Sequence, residues 1–222
     1  TRALRLLYGR DAQVTIVPAA VAGIEGSIEL RLNRDNPTVS TGSPAFVAAA
    51  CGAPGWEGQH WPDVLQVAAV TLQSLIARHG TPQFVKIDVE GMEDAVLGTL
   101  TRPVAALSFE FTTIQRDVAL ACIERCVALG YTRFNAALGE SQTFVDAEWT
   151  DGVSIARWLA ALPQSGSPVT SDVPSVSPPV KPVIVFPTAG LASPYSRVVS
   201  AAVTVRTAGV IVSVPGVNAA NE

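Results

Sequence analysis

Apolar and polar residues alternate along the first 163 positions in two patterns, one typical of strands and one typical of helices. The apolar run Phe84–Asp88 has the length of a buried strand, and apolar residues recur at helical spacing over 90–100. The same succession repeats, with a buried strand over 104–111 and an amphipathic helix over 113–129. Strands that alternate with helices of about ten or more residues indicate βαβ units. The pattern therefore predicts an α/β fold with a mainly parallel sheet.

Weaker signals predict the remaining elements. Thr71 and Gly80 are typical start and stop residues for a helix over 71–79. The β-branched run 14–21 and the alternating run 27–32 are predicted to pair with each other. Further strands are predicted over 64–70, 131–134 and 143–145, further helices over 1–8 and 153–162, and a loop with one helical turn over 36–58.

Composition changes near Pro163, where charged residues become rare and prolines frequent. The last 59 residues contain eight of the 16 prolines and only five charged side chains. Because proline interrupts helices and central strands, we interpret 1–163 as one domain and 164–222 as a low-complexity tail rich in Pro, Ser and Val. The tail is expected to pack little against the domain, with short β-prone pieces around 183–186 and 210–214. A shifted reading frame or an artificial terminus would give the same change in composition.

The overall composition excludes several classes of protein. Hydrophobic residues make up 48% of the chain and charged residues 15%, against about 25% charged in an average protein, so a disordered chain is excluded. The net charge of −4 and the lack of a basic cluster argue against nucleic acid and anionic lipid as partners. The sequence contains no apolar run of the roughly 18 residues that a membrane span needs. Three cysteines without a CxxC pair favour a reducing, cytoplasmic location.

Acidic residues stand at the ends of two predicted strands. Asp88 ends the first strand, Glu90 follows two residues later, and Glu110 lies near the end of the next strand. Because ligands bind at the carboxyl ends of parallel strands, we predict that these three carboxylates share one edge of the sheet. Lys86 alternates with Asp88 along the strand and is its predicted ion-pair partner.

Other candidate groups have a structural explanation. Glu93 and Asp94 are typical of a first helical turn, where the helix dipole favours negative charge. Cys122 and Cys126 lie four residues apart in the apolar stripe of a predicted helix. Without a second pair or a matching histidine, these cysteines are predicted to be buried core residues and not metal ligands.

Residues 71–100, TLQSLIARHGTPQFVKIDVEGMEDAVLGTL, resemble the signature of the FkbM-type S-adenosylmethionine-dependent methyltransferases. KIDVEG with its flanking spacing is the most specific part of the resemblance. Three shorter segments are also similar to that family: VPAAVAG at 17–23, NPTVST at 36–41 and SFEF at 108–111. The resemblance extends over residues 1–163.

The resemblance implies a Rossmann-like class I methyltransferase fold. It implies transfer of a methyl group from S-adenosylmethionine to a hydroxyl of a small-molecule or glycan acceptor, such as a sugar or natural product. No metal ligand is implied. The implied site residues are Asp88, Glu90 and Glu110 for catalysis, and Ala20, Val21, Lys86 and Asp88 for cofactor binding, with Ala20 and Val21 beside the adenine ring.

The chain departs from the family at the cofactor site. The family begins with a strand, a glycine-rich turn and a second strand that ends in a ribose-binding acid, and this sequence contains no such succession. Gln73 also stands where the family's helix start has an aspartate. We therefore expect an N-terminally truncated domain that lacks the first βαβ unit and binds S-adenosylmethionine weakly or not at all.

Two other function classes remain open. The carboxylates of Asp88, Glu90 and Glu110 suit Mg²⁺ in a phosphoryl- or nucleotidyl-transfer enzyme, because that ion prefers oxygen ligands. The lack of a phosphate-binding loop argues against this class. The third class is a non-catalytic binding module or remnant. The sequence does not predict the oligomeric state.

Overall fold

The computed structural model describes residues 2–12, 14–138 and 143–163, together with the backbone of 181–187, 202–206 and 209–213. Within these residues the helices are α1 Arg2–Tyr8, α2 Pro44–Ala50, α3 Leu72–His79, α4 Glu93–Gly98, α5 Arg116–Ala128 and α6 Gly152–Ala161. The strands are β1 Val14–Val17, β2 Ala20–Val21, β3 Gly26–Leu32, β4 Asp63–Val70, β5 Phe84–Asp88, β6 Ala106–Phe111, β7 Tyr131–Ala136, β8 Lys181–Pro187, β9 Ala202–Arg206 and β10 Gly209–Ser213. The predicted mixture of helices and strands in one α/β fold is confirmed.

A seven-stranded sheet in the order β1-β10-β9-β5-β6-β8-β7 forms the centre of the molecule. β5 runs parallel to β6 on one side and to β9 on the other, while the other four neighbouring pairs are antiparallel. The prediction of a mainly parallel sheet is therefore wrong. The difference arises from residues beyond 163, since each of the four antiparallel pairs contains β8 or β10.

The pair β5 and β6 lies at the centre of this sheet, as predicted. The two strands are in parallel register with Phe84 opposite Ala106 and Ile87 opposite Phe109. The chain passes from β5 to β6 through α4, so both strands end at the same edge of the sheet. This edge carries the acidic residues that the sequence singled out.

Three segments of the tail pair with the sheet. β9 lies beside β5, β8 lies between β6 and β7, and β10 connects β9 to β1. The expectation that 164–222 packs little is wrong for these segments, because their valine and isoleucine runs supply ladder partners to β5 and β6. Pro182 and Pro187 stand at the second and last positions of β8, where missing N–H groups interrupt the ladder least. The β-prone pieces are confirmed, and the division at residue 163 stays a prediction from composition.

A second, three-stranded sheet has the order β2-β4-β3. β4 pairs in parallel with β2 and in antiparallel with β3, from Gly26 opposite Ala69 to Leu32 opposite Asp63. The predicted pairing of 14–21 with 27–32 is therefore wrong. Pro18 divides the first run into two strands, of which β1 joins the large sheet and β2 the small one.

Apolar side chains from both sheets and from α3 to α6 form the main core. Cys122 and Cys126 are fully buried in it, as predicted. α3 begins and ends at the predicted residues, since Thr71 Oγ1 accepts a hydrogen bond from the Ser74 N–H at 3.1 Å and Gly80 takes a positive φ of 90°. Around 143–145 the predicted strand is reduced to one isolated bridge between Ala137 and Phe144. Among the helices of the described residues, none combines the length and the apolar character needed to cross a bilayer.

Candidate functional site

Three carboxylates meet at the carboxyl edge of β5 and β6. Asp88 is the last residue of β5, Glu110 is the last but one of β6, and Glu90 lies in the turn that follows β5. One carboxylate oxygen of each residue lies within 4.8 Å of the others. The predicted proximity of Asp88, Glu90 and Glu110 is confirmed, and we call these three residues the carboxylate cluster.

Lys86 holds two members of the carboxylate cluster together. Its Nζ donates a hydrogen bond of 3.0 Å to Asp88 Oδ2 and one of 2.5 Å to Glu110 Oε1. Burial acts to lower the pKa of Lys86, but the charges and hydrogen bonds of Asp88 and Glu110 outweigh it and raise this pKa above its ordinary value. Lys86 is thus the ion-pair partner predicted for Asp88, and it pairs with Glu110 as well.

Glu90 stands in an unusual backbone conformation. Its φ of 53° lies in the left-handed region, and its backbone oxygen accepts a 2.5 Å hydrogen bond from Thr41 Oγ1. The side chain is buried, and this burial, followed by the charges of Asp88, Glu93 and Glu110, raises the pKa of Glu90 to about 9. At neutral pH the Glu90 carboxyl is therefore protonated.

The side chain of Glu93 stabilises the turn between β5 and α4. Its Oε1 accepts from the Val89 N–H at 3.1 Å and its Oε2 from the Gly91 N–H at 3.0 Å. The residue is only 4% exposed, and burial raises its pKa to about 7 against these hydrogen bonds. The interpretation of Glu93 as an ordinary acid of a first helical turn missed this role. Because the turn occupies Glu90 and Gly91, α4 begins at Glu93 and not at 90.

Gly91 has no room for a side chain. Its φ is 89°, and a Cβ at this position would lie 2.3 Å from Gln115 Oε1 and 2.8 Å from the Phe46 side chain. Phe46 is itself fixed by edge-to-face contacts with Trp56 and Trp61, at ring-centroid distances of 5.1 and 6.2 Å. Because Gly91 has no side chain, α2 and the start of α5 can pack closely against the turn.

A shallow pocket of about 270 Å³, part of it open to solvent, lies beside the carboxylate cluster. Glu90 and Glu110 line it, together with side chains that the sequence analysis did not identify. Those additional lining residues are Phe46, Gly91, Glu93, Phe111, Thr112, Gln115 and Val118. Gln115 is 7% exposed, and its buried Oε1 has no hydrogen-bond partner among the residues that the structure describes. The signal that could have found Gln115 is its place as a polar residue directly after the buried strand that carries Glu110.

Ala20 and Val21 do not line this pocket. They form β2 in the small sheet and are 2% and 0% exposed, and Val21 belongs to the main core. Of the four residues implied for cofactor binding, Lys86 and Asp88 lie at the carboxylate cluster. The other two, Ala20 and Val21, are buried away from solvent. Their role beside an adenine ring stays a prediction.

Comparison with known proteins adds no family assignment, since neither protein-family models nor curated protein sequences match this chain. The chemistry of the site is therefore argued from its geometry. The carboxylate cluster offers three oxygens for binding a hydroxyl, accepting its proton or ligating a cation.

Proposed function

We propose that this chain belongs to an S-adenosylmethionine-dependent methyltransferase of the FkbM type with a Rossmann-like fold, and that it acts on a hydroxyl of a sugar or natural product. The observation that carries the proposal is the carboxylate cluster in the KIDVEG segment, at the carboxyl edge of the parallel strands β5 and β6. In open α/β sheets this edge is where ligands bind.

The described residues do not fit S-adenosylmethionine itself. A ligand of that size needs a deep pocket that covers most of its surface, whereas the pocket beside the carboxylate cluster is shallow and partly open to solvent. Ala20 and Val21 offer almost no accessible surface to an adenine ring. We therefore assign the described residues to the acceptor side of the reaction and derive no step through the cofactor.

On the acceptor side, the cluster orients a hydroxyl and takes its proton. Lys86 pairs with the carboxylates of Asp88 and Glu110, and of these two Glu110 lines the pocket. The hydroxyl proton passes to a carboxylate oxygen of Glu110, and the alkoxide oxygen becomes the nucleophile for the methyl group. The protonated Glu90 carboxyl can donate a hydrogen bond that orients the acceptor. Gln115 and Thr112 add polar atoms to the pocket wall, where they can orient the acceptor.

A direct assay tests this proposal. The natural polypeptide that carries residues 1–222 is incubated with S-adenosylmethionine and a panel of hydroxyl-bearing sugars and natural products, and S-adenosylhomocysteine and methylated acceptor are measured by mass spectrometry. We expect both products in equal amounts with at least one acceptor. Cofactor consumption without a methylated acceptor, or no turnover across the panel, would contradict the proposal.

A second candidate function is Mg²⁺-dependent phosphoryl or nucleotidyl transfer. It is favoured by the spacing of the carboxylate cluster, whose oxygens lie within 4.8 Å of one another, because hard divalent cations bind such oxygen sets. The same preparation incubated with Mg²⁺ and nucleoside triphosphates separates the two candidates. Release of phosphate or pyrophosphate, lost in Glu110→Gln, would favour the second candidate.

A further inference from the structure

The carboxylate cluster has the dimensions of a single-ion site. Two ligands of one ion are separated by at most twice the metal–oxygen distance, which gives about 4.1 Å for Mg²⁺ and about 4.6–5.2 Å for Ca²⁺. The oxygens of Asp88, Glu90 and Glu110 already lie within 4.8 Å of one another. One divalent cation therefore fits between them, and Glu90 gives up its proton when the ion binds, because carboxylate ligands are ionised. Ca²⁺ takes about six to eight oxygen ligands, many of them from protein, whereas Mg²⁺ keeps several waters, so a cluster of three carboxylates favours Ca²⁺.

An unpaired oxygen in the same pocket is an independent feature that also points to a bound ligand. Gln115 is more than nine-tenths buried, and within the described part of the chain its Oε1 has no hydrogen-bond partner. It lines the pocket together with Glu90 and Glu110. A buried carbonyl oxygen without a donor is costly, and amide oxygens are common ligands of Ca²⁺.

We propose that Asp88, Glu90, Glu110 and Gln115 form a binding site for one divalent cation of the oxygen-preferring class, with Ca²⁺ favoured over Mg²⁺. The site lies on three successive parts of the chain: the end of β5 and its turn, the end of β6, and the residue before α5. It goes beyond the proposed methyl transfer, which assigns no ion to this edge.

The backbone around the site is held by contacts that do not involve an ion. Thr41 Oγ1 donates to the Glu90 backbone oxygen, and Glu93 accepts from the N–H groups of Val89 and Gly91. The turn that carries Glu90 is therefore stabilised by these hydrogen bonds in the absence of an ion. A cation site built on such a turn loses little conformational entropy when the ion binds.

Lys86 competes with the ion for the carboxylate oxygens of Asp88 and Glu110. Its ammonium contacts Asp88 Oδ2 at 3.0 Å and Glu110 Oε1 at 2.5 Å, and both belong to carboxylates assigned to the ion. Binding of a divalent cation therefore requires the ammonium to move away from at least one of these oxygens. It follows that Lys86→Met strengthens cation binding, which is opposite to the effect expected if the lysine merely supported the fold.

Calorimetric titration of the full chain tests the proposal. Protein freed of metal with a chelator is titrated with CaCl₂ and, separately, with MgCl₂. We expect one Ca²⁺ per chain with a Kd below 1 mM and weaker binding of Mg²⁺. Glu90→Gln and Glu110→Gln should each weaken Ca²⁺ binding at least tenfold, Gln115→Leu several-fold, and Lys86→Met should tighten it.

Asp117→Asn is the matched control, because Asp117 is an exposed acid on α5 two residues from Gln115. We expect this variant to bind Ca²⁺ like the wild type. Thermal unfolding with and without Ca²⁺ checks that each variant is folded, and the increase in Tm caused by the ion should follow its affinity. The absence of saturable binding, or equal affinity in wild type, Glu90→Gln and Glu110→Gln, would overturn the proposal. Since the titration contains neither S-adenosylmethionine nor acceptor, its failure leaves the methyl-transfer proposal standing.

Discussion

At the scale of single residues, the turn after β5 concentrates most of the unusual features of this molecule. Glu90 and Gly91 have positive φ angles, and the buried Glu93 carboxylate accepts two backbone hydrogen bonds across the turn. A non-glycine residue in the left-handed region is uncommon and persists where its surroundings fix it. Here the fixed conformation brings the Glu90 carboxyl to Asp88 and Glu110.

Gly91→Ala should be strongly destabilising. The new Cβ would meet Gln115 Oε1 and Phe46 at distances far inside normal contact, in a backbone conformation that alanine disfavours. We expect the free energy of unfolding to fall by about 2 kcal/mol or more in urea denaturation. Gly98→Ala is the control, because the described residues outside its own helix leave open space around a Cβ there and its φ is not positive. Equal effects of the two substitutions would contradict this view of the turn.

Glu93 should make stability depend on pH. Its pKa is about 7 in the folded protein against an ordinary value of 4.5, so between these values the folded state holds a proton that the unfolded state releases. The contribution of this proton to the free energy of unfolding is complete below about pH 4.5. It is lost as the pH rises towards 7, and the total loss is about 3 kcal/mol. Denaturation curves at several pH values should show this loss in the wild type and a smaller one in Glu93→Gln. Asp117→Asn should keep the wild-type pH dependence; a slope unchanged in Glu93→Gln would refute the assignment.

At the scale of helices and strands, local sequence signals predicted elements well and pairings less well. α3 and β5 were predictable to the residue, because a threonine cap, a glycine stop and a compact apolar run are contained within a few positions. The order β2-β4-β3 was not, since it depends on which distant strand offers a free edge. Likewise Gln115 and Glu93 were missed because their partners in space, at Gly91 and Val89, follow from the shape of the turn.

The strands beyond residue 163 should contribute to stability. β9 and β8 flank the central pair β5 and β6, so their removal leaves both inner strands without one ladder partner. We expect a chain ending at residue 163 to unfold at a clearly lower urea concentration than the full chain. A chain ending at residue 213 keeps β8 to β10 and should behave like the full chain. Equal midpoints for the 163-residue and full-length chains would contradict the pairing of these strands with the sheet.

At the scale of the whole molecule, the predicted α/β class is confirmed while the sheet is more mixed than predicted. The central parallel pair and its acidic edge are the part that sequence reasoning captured, because an apolar strand ending in an acid is a local pattern with one structural outcome. Each antiparallel pair at the sides includes β8 or β10, which come from a segment whose prolines indicated a tail. The finer assignment to a methyltransferase fold stays a proposal.

Residues 1–222 should bind S-adenosylmethionine poorly. The pocket at the carboxylate cluster is shallow and partly open to solvent, and Ala20 and Val21 are buried. In calorimetric titration we expect a Kd weaker than about 100 μM, which corresponds to less than about 5.5 kcal/mol of binding free energy. Micromolar binding would show that the cofactor is held by residues other than those assigned here.

The central claim is that the carboxylate cluster carries catalysis, and the rate of methyl transfer in Glu110→Gln tests it most directly. Glutamine keeps the size of the glutamate side chain but cannot take a proton from the acceptor. With an acceptor identified by the product assay, we expect kcat to fall about 10²–10⁴-fold, the usual contribution of a general base, while KM for the acceptor changes little. Asp117→Asn should keep the wild-type rate. A Glu110→Gln enzyme that is folded and retains wild-type kcat would contradict the claim.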